Sequence, residues 1–435
     1  MKIIRKFNIL ILTISLLTIT SCTLEGGESL NGASTSSISD DLSRGELPQA
    51  ISGILSDMRD RLNTQVDVQS IFGREYYYFT SSDPRFEGDV VTGNLNNETF
   101  YSTTPWATRY AAIKEANLVL EGLGNTTSDF SAAEVGAIRG VLNTLKAHEL
   151  LMVSNSQYSN GIKIDVADPD NLGPIVSYDD ALTAIVGLLT DAANDLASGG
   201  TSLPFNLGSG YTGFDTPAGF LQFNKALTAR VEAYRGNYSN VSSLLAGSFM
   251  DMAGDLNNGV FHTFSLTGAD LPNPLFIALN QEANVRVAHA SFLADAEAGD
   301  TRIEKVVLRD TPREATGLVG THDVWIYQSL LDNVPIIRNE ELILLYAEAN
   351  MGSNPGAAVT AINVIRNAAG LADYTGAQTA NALEDEILFQ RRYSLFGESH
   401  RWIDMRRFGR LGELPNDRSG DAVPEAVPIP KDDDQ

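Results

Sequence analysis

The sequence predicts a mainly α fold, in which tetratricopeptide-like helix pairs form one curved scaffold and long irregular loops carry the binding surface. Three observations predict it. Apolar residues recur every three or four positions in many segments, as the buried face of a helix requires. Capping residues stand just ahead of those segments, and the links between several of them are short. Strand-like alternation is weak and confined to Arg302–Leu308.

Composition sets the outer limits. The chain has 435 residues, of which 43% are hydrophobic, enough for a sizeable core. A helical solenoid of that length can form one unit. The formal charge is −24. Removing the first 21 residues, which carry Lys2, Arg5 and Lys6, leaves 28 basic against 55 acidic side chains, or −27. That balance excludes nucleic acid as an expected partner, because phosphate binding needs clustered Lys and Arg. It also disfavours polyanionic glycans.

At the N-terminus, a basic start precedes an apolar run from Phe7 to Leu17. The run has the form of a secretory signal and is short for a membrane span. It ends Leu17-Thr18-Ile19-Thr20-Ser21-Cys22, which resembles the bacterial lipobox. Cys22 is the single cysteine of the chain, so no intramolecular disulfide can form and lipid attachment explains its place. Acyl chains there would anchor firmly, at roughly 0.8 kcal/mol per buried methylene. Residues 1–21 are therefore read as signal peptide and 22–40 as lipidated cysteine and flexible tether. Residues 41–435 are read as one helical domain.

The helices follow in order. Pro48 to Leu62 is the first. Thr104-Pro105 is expected to cap a second, in which Trp106, Tyr110, Ile113, Asn117 and Leu120 share a face. Ser131 with Glu134 forms a capping box ahead of a helix through Leu151. Ser177 to Leu196 is next. Thr216-Pro217 opens Ala218 to Tyr234, and another helix runs through Leu245. Two excursions break this pattern, Phe72–Thr103 and Leu256–Val334. Segments that long without helices are usually functional loops. The stretch from Leu414 to Gln435, with Pro415, Pro424, Pro428 and Pro430, is expected to lie extended on the surface.

The stretch from Arg338 to Gly409 is the most specific. It opens with a helix in which Leu342, Leu345, Tyr346 and Ala349 share a face. Asn354-Pro355 then opens a second helix ending near Gly370, and a third runs from Leu383 to Phe396. Glu398, Arg401, Asp404 and Arg407 then fall three apart. Such a ladder is read as structural, tying the last helix to Arg391-Arg392 by charge-assisted hydrogen bonds.

Arg338, Glu341, Ala347-Glu348-Ala349, Asn363, Arg366, Ala369-Gly370-Leu371, Arg391-Arg392, Glu398, Arg401, Trp402, Asp404 and Arg407 stand in an order that resembles the SusD/RagB family. Trp106, Tyr110, Ile113 and Asn117 resemble a further signature of that family. The chain departs from the pattern at Gln390, Ser394 and Ser399, the last where glycine is common. The resemblance implies a non-enzymatic, nutrient-binding lipoprotein of the outer membrane, facing the cell exterior. Its implied partner is a TonB-dependent transporter that receives the ligand, an oligosaccharide or, alternatively, a peptide. Trp106 is then scaffold.

Aromatics with polar neighbours suit sugars, whose C–H faces stack on rings while their hydroxyls take hydrogen bonds. The excursions concentrate such residues. The candidate ligand-binding set is Tyr76, Tyr77, Tyr78, Asp83, Arg85, Tyr101, Trp325 and Tyr327. No catalytic residue, metal site or cofactor is expected. The five histidines lack ligand spacing, and His148-Glu149 is followed at the zincin position by Met152. Asp165, Asp168, Asp170 and Asn171 read as an Asx-rich turn before Gly173 rather than a calcium loop. No nucleophile elbow, phosphate loop or dinucleotide fingerprint occurs. The other function classes compatible with the sequence are a secreted all-α glycoside hydrolase and a tetratricopeptide-type lipoprotein that binds only proteins.

Overall fold

The computed structural model describes residues 35–433 except 269. Cys22 and the signal segment lie outside the described residues. Within them, thirteen α-helices carry the architecture.

The first run of helices is α1 (Thr35–Asp40), α2 (Leu47–Asp57), α3 (Leu62–Phe72), α4 (Phe100–Asn125), α5 (Ala132–Gln157), α6 (Tyr178–Ala197), α7 (Pro217–Tyr234) and α8 (Tyr238–Ala246). From α4 onward each packs on the next, while α1 and α2 cover α4. Local chemistry sets their starts. Ser131 accepts from the Glu134 amide and Glu134 reaches back, closing the expected capping box. Ser177 and Thr216 cap α6 and α7 by accepting from the Asp180 and Gly219 amides. Leu142, Leu145, Phe220, Phe223 and Leu245 meet in the main core, all nearly without exposure. Where α5 crosses α6 the backbones come close: a Cβ on Gly140 would stand 2.5 Å from Leu196 Cγ.

The helix expected to open at Thr104-Pro105 starts upstream of it. Thr99 is the N-cap of α4 and Pro105 lies inside. Phe100 and Tyr101 pack against the preceding excursion and draw it into the helix, while Pro105 forgoes a hydrogen bond to the Tyr101 carbonyl.

The second excursion is more ordered than its sequence suggests. It contains β4 (Gly259–His262), β5 (Asn284–Ala288), α9 (Ala290–Ala294), β6 (Val306–Ala315) and β7 (Leu318–Val324), and it leads into β8 (Val334–Arg338). With β1 (Tyr76–Thr80), three of them make a sheet of order β1-β5-β7-β6. β4 pairs separately with β8. Much of the Arg302–Leu308 alternation falls on a 3-10 turn, Thr301–Lys305, ahead of β6. β6 is an edge strand, mostly exposed, so its polar residues hide its period. The hairpin β2 (Ile162–Lys163) and β3 (Ile175–Val176) brackets the Asp165–Gly173 loop. There Asp168 Oδ1 accepts from the Asp170 amide and the Asp165 carbonyl from that of Gly173.

The last helices are α10 (Asn339–Asn350), α11 (Pro355–Ala368), α12 (Ala380–Ser394) and α13 (Arg401–Arg407). Buried charge ties them together. Asp404 accepts from Arg391 Nε at 2.6 Å and from Arg407 Nε at 3.0 Å. Arg407 goes on to Glu348 at 2.6 Å, and Arg230 of α7 grips Glu341 at 2.6 Å. Burial opposes the charge on Asp404, but Arg391 and Arg407 outweigh it and hold the carboxyl at about 2. Residues 414–433 then cross the surface. Trp402 Nε1 donates to the Pro424 carbonyl at 2.8 Å, and the Val427 amide donates to the Ser156 carbonyl at 2.8 Å.

Candidate ligand-binding surface

The first excursion leaves β1 at Thr80, whose amide donates to Glu87 Oε1 at 2.9 Å. That bond folds the chain back through a π-helical turn, Phe86–Val90. Arg85 lies over the Phe100 ring at 4.9 Å and clamps Asp83 through Nε and Nη2, at 2.8 and 2.7 Å. These hydrogen bonds hold the Asp83 carboxyl below its ordinary range. Phe86 bridges Tyr78 and Phe100, with centroids 4.9 and 4.8 Å away. The Tyr101 hydroxyl accepts from the Asn96 amide at 2.7 Å and donates to Asp89 at 3.1 Å.

Beside this clamp runs an open cleft of about 700 Å³. One wall is Asp89 with the run Asn94–Glu98, and the other is Pro428 with Lys431. Lys431 pairs with Glu98 across it, and its amide donates to the Asn97 carbonyl at 3.3 Å. The walls thus offer three amide side chains, two carboxylates and an ammonium, with Leu95 and Pro428 as the apolar contribution. Such a lining can donate to and accept from several hydroxyls at once.

The eight expected ligand residues divide. Asp83 and Arg85 remain at the surface beside the cleft, and Tyr78 and Trp325 are half-buried. Tyr78 lies under the Arg286 guanidinium at 5.0 Å, and Trp325 lies by Phe276 at 6.1 Å. The other four are interior. Tyr76 donates to Asp67 at 2.9 Å and Tyr77 to Asp417 at 2.8 Å. Tyr101 is 0% exposed, and Tyr327 is buried with no partner for its hydroxyl. Both faces of β1 are covered, so its alternating aromatics all turn into packed space. None of the eight lines the cleft, so the set does not converge on one spot. Asn94, Asn96, Asn97, Pro428 and Lys431 escaped the sequence reading. The asparagine run was visible, but its pairing with a segment more than 300 residues later was not.

Among the described residues no group of three or more His, Cys, Asp or Glu could hold a metal ion. None of the described helices is long and apolar enough to cross a membrane.

Comparison with known proteins places this geometry. The chain is similar to a SusD superfamily protein from Bacteroides vulgatus, with a TM-score of 0.67 at 16% identity, covering 90% of this chain and 96% of that one. The fold is that of the SusD superfamily. Residues 305–427 match the model of the SusD family. Surface glycan-binding protein A from Bacteroides thetaiotaomicron, solved with laminarihexaose, superposes with a TM-score of 0.68 at 15% identity, covering 89% and 96% of the two chains. SusD-like protein P38 from Formosa agariphila is 31% identical over 131 residues. That match spans 28% of this chain and about a quarter (26%) of the relative. The segment matched by the SusD model includes the ladder of Arg391, Asp404 and Arg407, so this charged core lies in the part of the chain most similar to that family.

Proposed function

We propose that this chain is a non-catalytic glycan-binding protein of the SusD type that takes an oligosaccharide into the cleft between the first excursion and residues 414–433. The observation that carries the reading is the open, amide- and carboxylate-lined cleft beside the Asp83–Arg85 clamp. A polar, solvent-open site with few apolar contacts suits a ligand that must be held weakly and passed on. The similarity to surface glycan-binding protein A, solved with laminarihexaose, and to a laminarin-binding SusD-like protein supports a sugar as the ligand class. In this reading the protein is lipid-anchored at Cys22 in the outer membrane, faces outward, and delivers its ligand to a TonB-dependent transporter.

Titration with oligosaccharides found by a glycan screen tests the site. Arg85→Ala and Asn97→Ala should each lose about 0.5–1.5 kcal/mol of binding, the usual worth of a hydrogen bond, with unchanged melting temperature. Trp325→Ala, which is away from the cleft, should bind as the parent does. Parent-like binding by both Arg85→Ala and Asn97→Ala would place the ligand elsewhere. Binding of short peptides and of no glycan would replace the ligand class, and release of cleaved sugars would overturn the non-catalytic reading. For the anchor, the full-length chain should sediment with membranes and Cys22→Ser should be soluble; equal partitioning of the two would remove the lipid.

A further inference from the structure

We propose that a second pocket, on the opposite set of elements, binds a single neutral sugar ring. It encloses about 470 Å³ and lies between the end of α2, the turn at 206–211 and the outgoing end of β4. None of these elements borders the cleft described above, and the inference does not depend on that cleft being a glycan site.

The pocket is built rather than incidental. Arg59 is fixed by donating to the Leu55 carbonyl at 3.0 Å and by an ion pair with Asp270 at 2.8 Å. Tyr211 in its wall is stacked on Phe220 at 6.0 Å, and its buried hydroxyl has no partner. Phe261 is half-buried beside it. The turn sits directly on the strand: a Cβ on Gly210 would stand 2.1 Å from the Phe261 carbonyl oxygen. Glycine there lets the turn close the pocket floor. Asn206 stands at the rim, with Oδ1 accepting from the Gly208 amide at 2.7 Å.

The chemistry selects the ligand. Arg59 and Asp270 cancel, so an anion would have to displace Asp270. A purely apolar ligand would leave the Ser56 and Thr263 hydroxyls and the Arg59–Asp270 pair dehydrated. A hexose fits both conditions, with hydroxyls for the polar groups and a C–H face for Phe261. The volume lies within the range of pockets that hold small molecules rather than polymers.

Saturation-transfer NMR on the whole folded protein, with D-glucose, D-galactose and D-mannose as probes and D-glucuronate as the charged comparator, tests this. At least one neutral hexose should bind. Ser56→Phe, which fills the pocket, should abolish the signal, and Asn206→Ala should weaken it severalfold. Asn97→Ala in the cleft should leave it intact. Should Ser56→Phe melt early, Asn206→Ala at the exposed rim decides. The proposal falls if no hexose binds, if Asn206→Ala binds as the parent does, or if glucuronate binds more tightly. Loss of hexose binding in Asn97→Ala alone would also overturn it, by moving the sugar to the cleft and leaving the proposed function standing.

Discussion

Asp404 and Asp83 are both aspartates held by arginine, yet they do opposite work. Asp404 is 2% exposed and shared between Arg391 and Arg407 inside the C-terminal helices. Asp83 meets Arg85 where side chains keep 25% and 44% of their surface. A buried pair is strongly destabilised by losing one partner, because a charge remains without water or counter-charge. An exposed pair loses little, because water replaces the partner. The scaffold therefore uses charge to fix geometry, and the loop face keeps charge that can be exchanged for a ligand.

The sharpest way to break that contrast is Asp404→Ala. It leaves Arg391 and Arg407 facing each other in the core and should cost about 3–5 kcal/mol, read by denaturant unfolding. A loss below 1 kcal/mol would mean that the ladder is not what holds the last helices.

Glu75 gives a second, pH-dependent test. Burial pushes its carboxyl up to about 7, against the Gly397 amide, which donates to it at 3.0 Å. Between its unfolded value near 4.5 and 7 the native state binds more protons than the unfolded one. The contribution is present below 4.5 and is lost as pH rises through 7, on the order of 3 kcal/mol. Burial lowers His400 to about 4, which gives a slope of opposite sign as pH rises from 4 to its ordinary 6.5. The informative quantity is thus the difference between parent and Glu75→Gln. The variant should gain on the parent as pH rises from 5 to 8, and parallel curves would show that Glu75 does not titrate there.

The smallest expected effect is a gain. Ser399 has φ of 65°, and its hydroxyl is buried without a partner. Ser399→Gly should stabilise by about 1 kcal/mol, since a left-handed backbone is costly for a residue with a Cβ. A measured loss would mean that the hydroxyl has a role the geometry does not reveal.

The scaffold was legible because its signals are local. Ser131 with Glu134, Thr216-Pro217 and Asn354-Pro355 announce helices within a few residues of themselves. The site was less legible because its signals are distant. Arg286 can lie inside only because Asp67, far back in the sequence, meets it at 2.5 Å. Tyr76 and Tyr77 resembled a platform, but Asp67 and Phe396 enclose the first and His289 and Asp417 the second. The motifs that resembled the SusD/RagB family mark the charged core and carry no information on the cleft.

Residues 414–433 supply one wall of that cleft, and this has a consequence for biosynthesis. On the proposed export route the chain crosses the membrane from its N-terminus, so helices already across can pair before Pro428 and Lys431 follow. Until they arrive and the Val427 amide reaches Ser156, the asparagine run has nothing opposite it. Competence for ligand therefore follows the scaffold, and a clipped chain lacking this stretch would have a one-sided site and would leave Trp402 Nε1 and the Tyr77 hydroxyl without their acceptors.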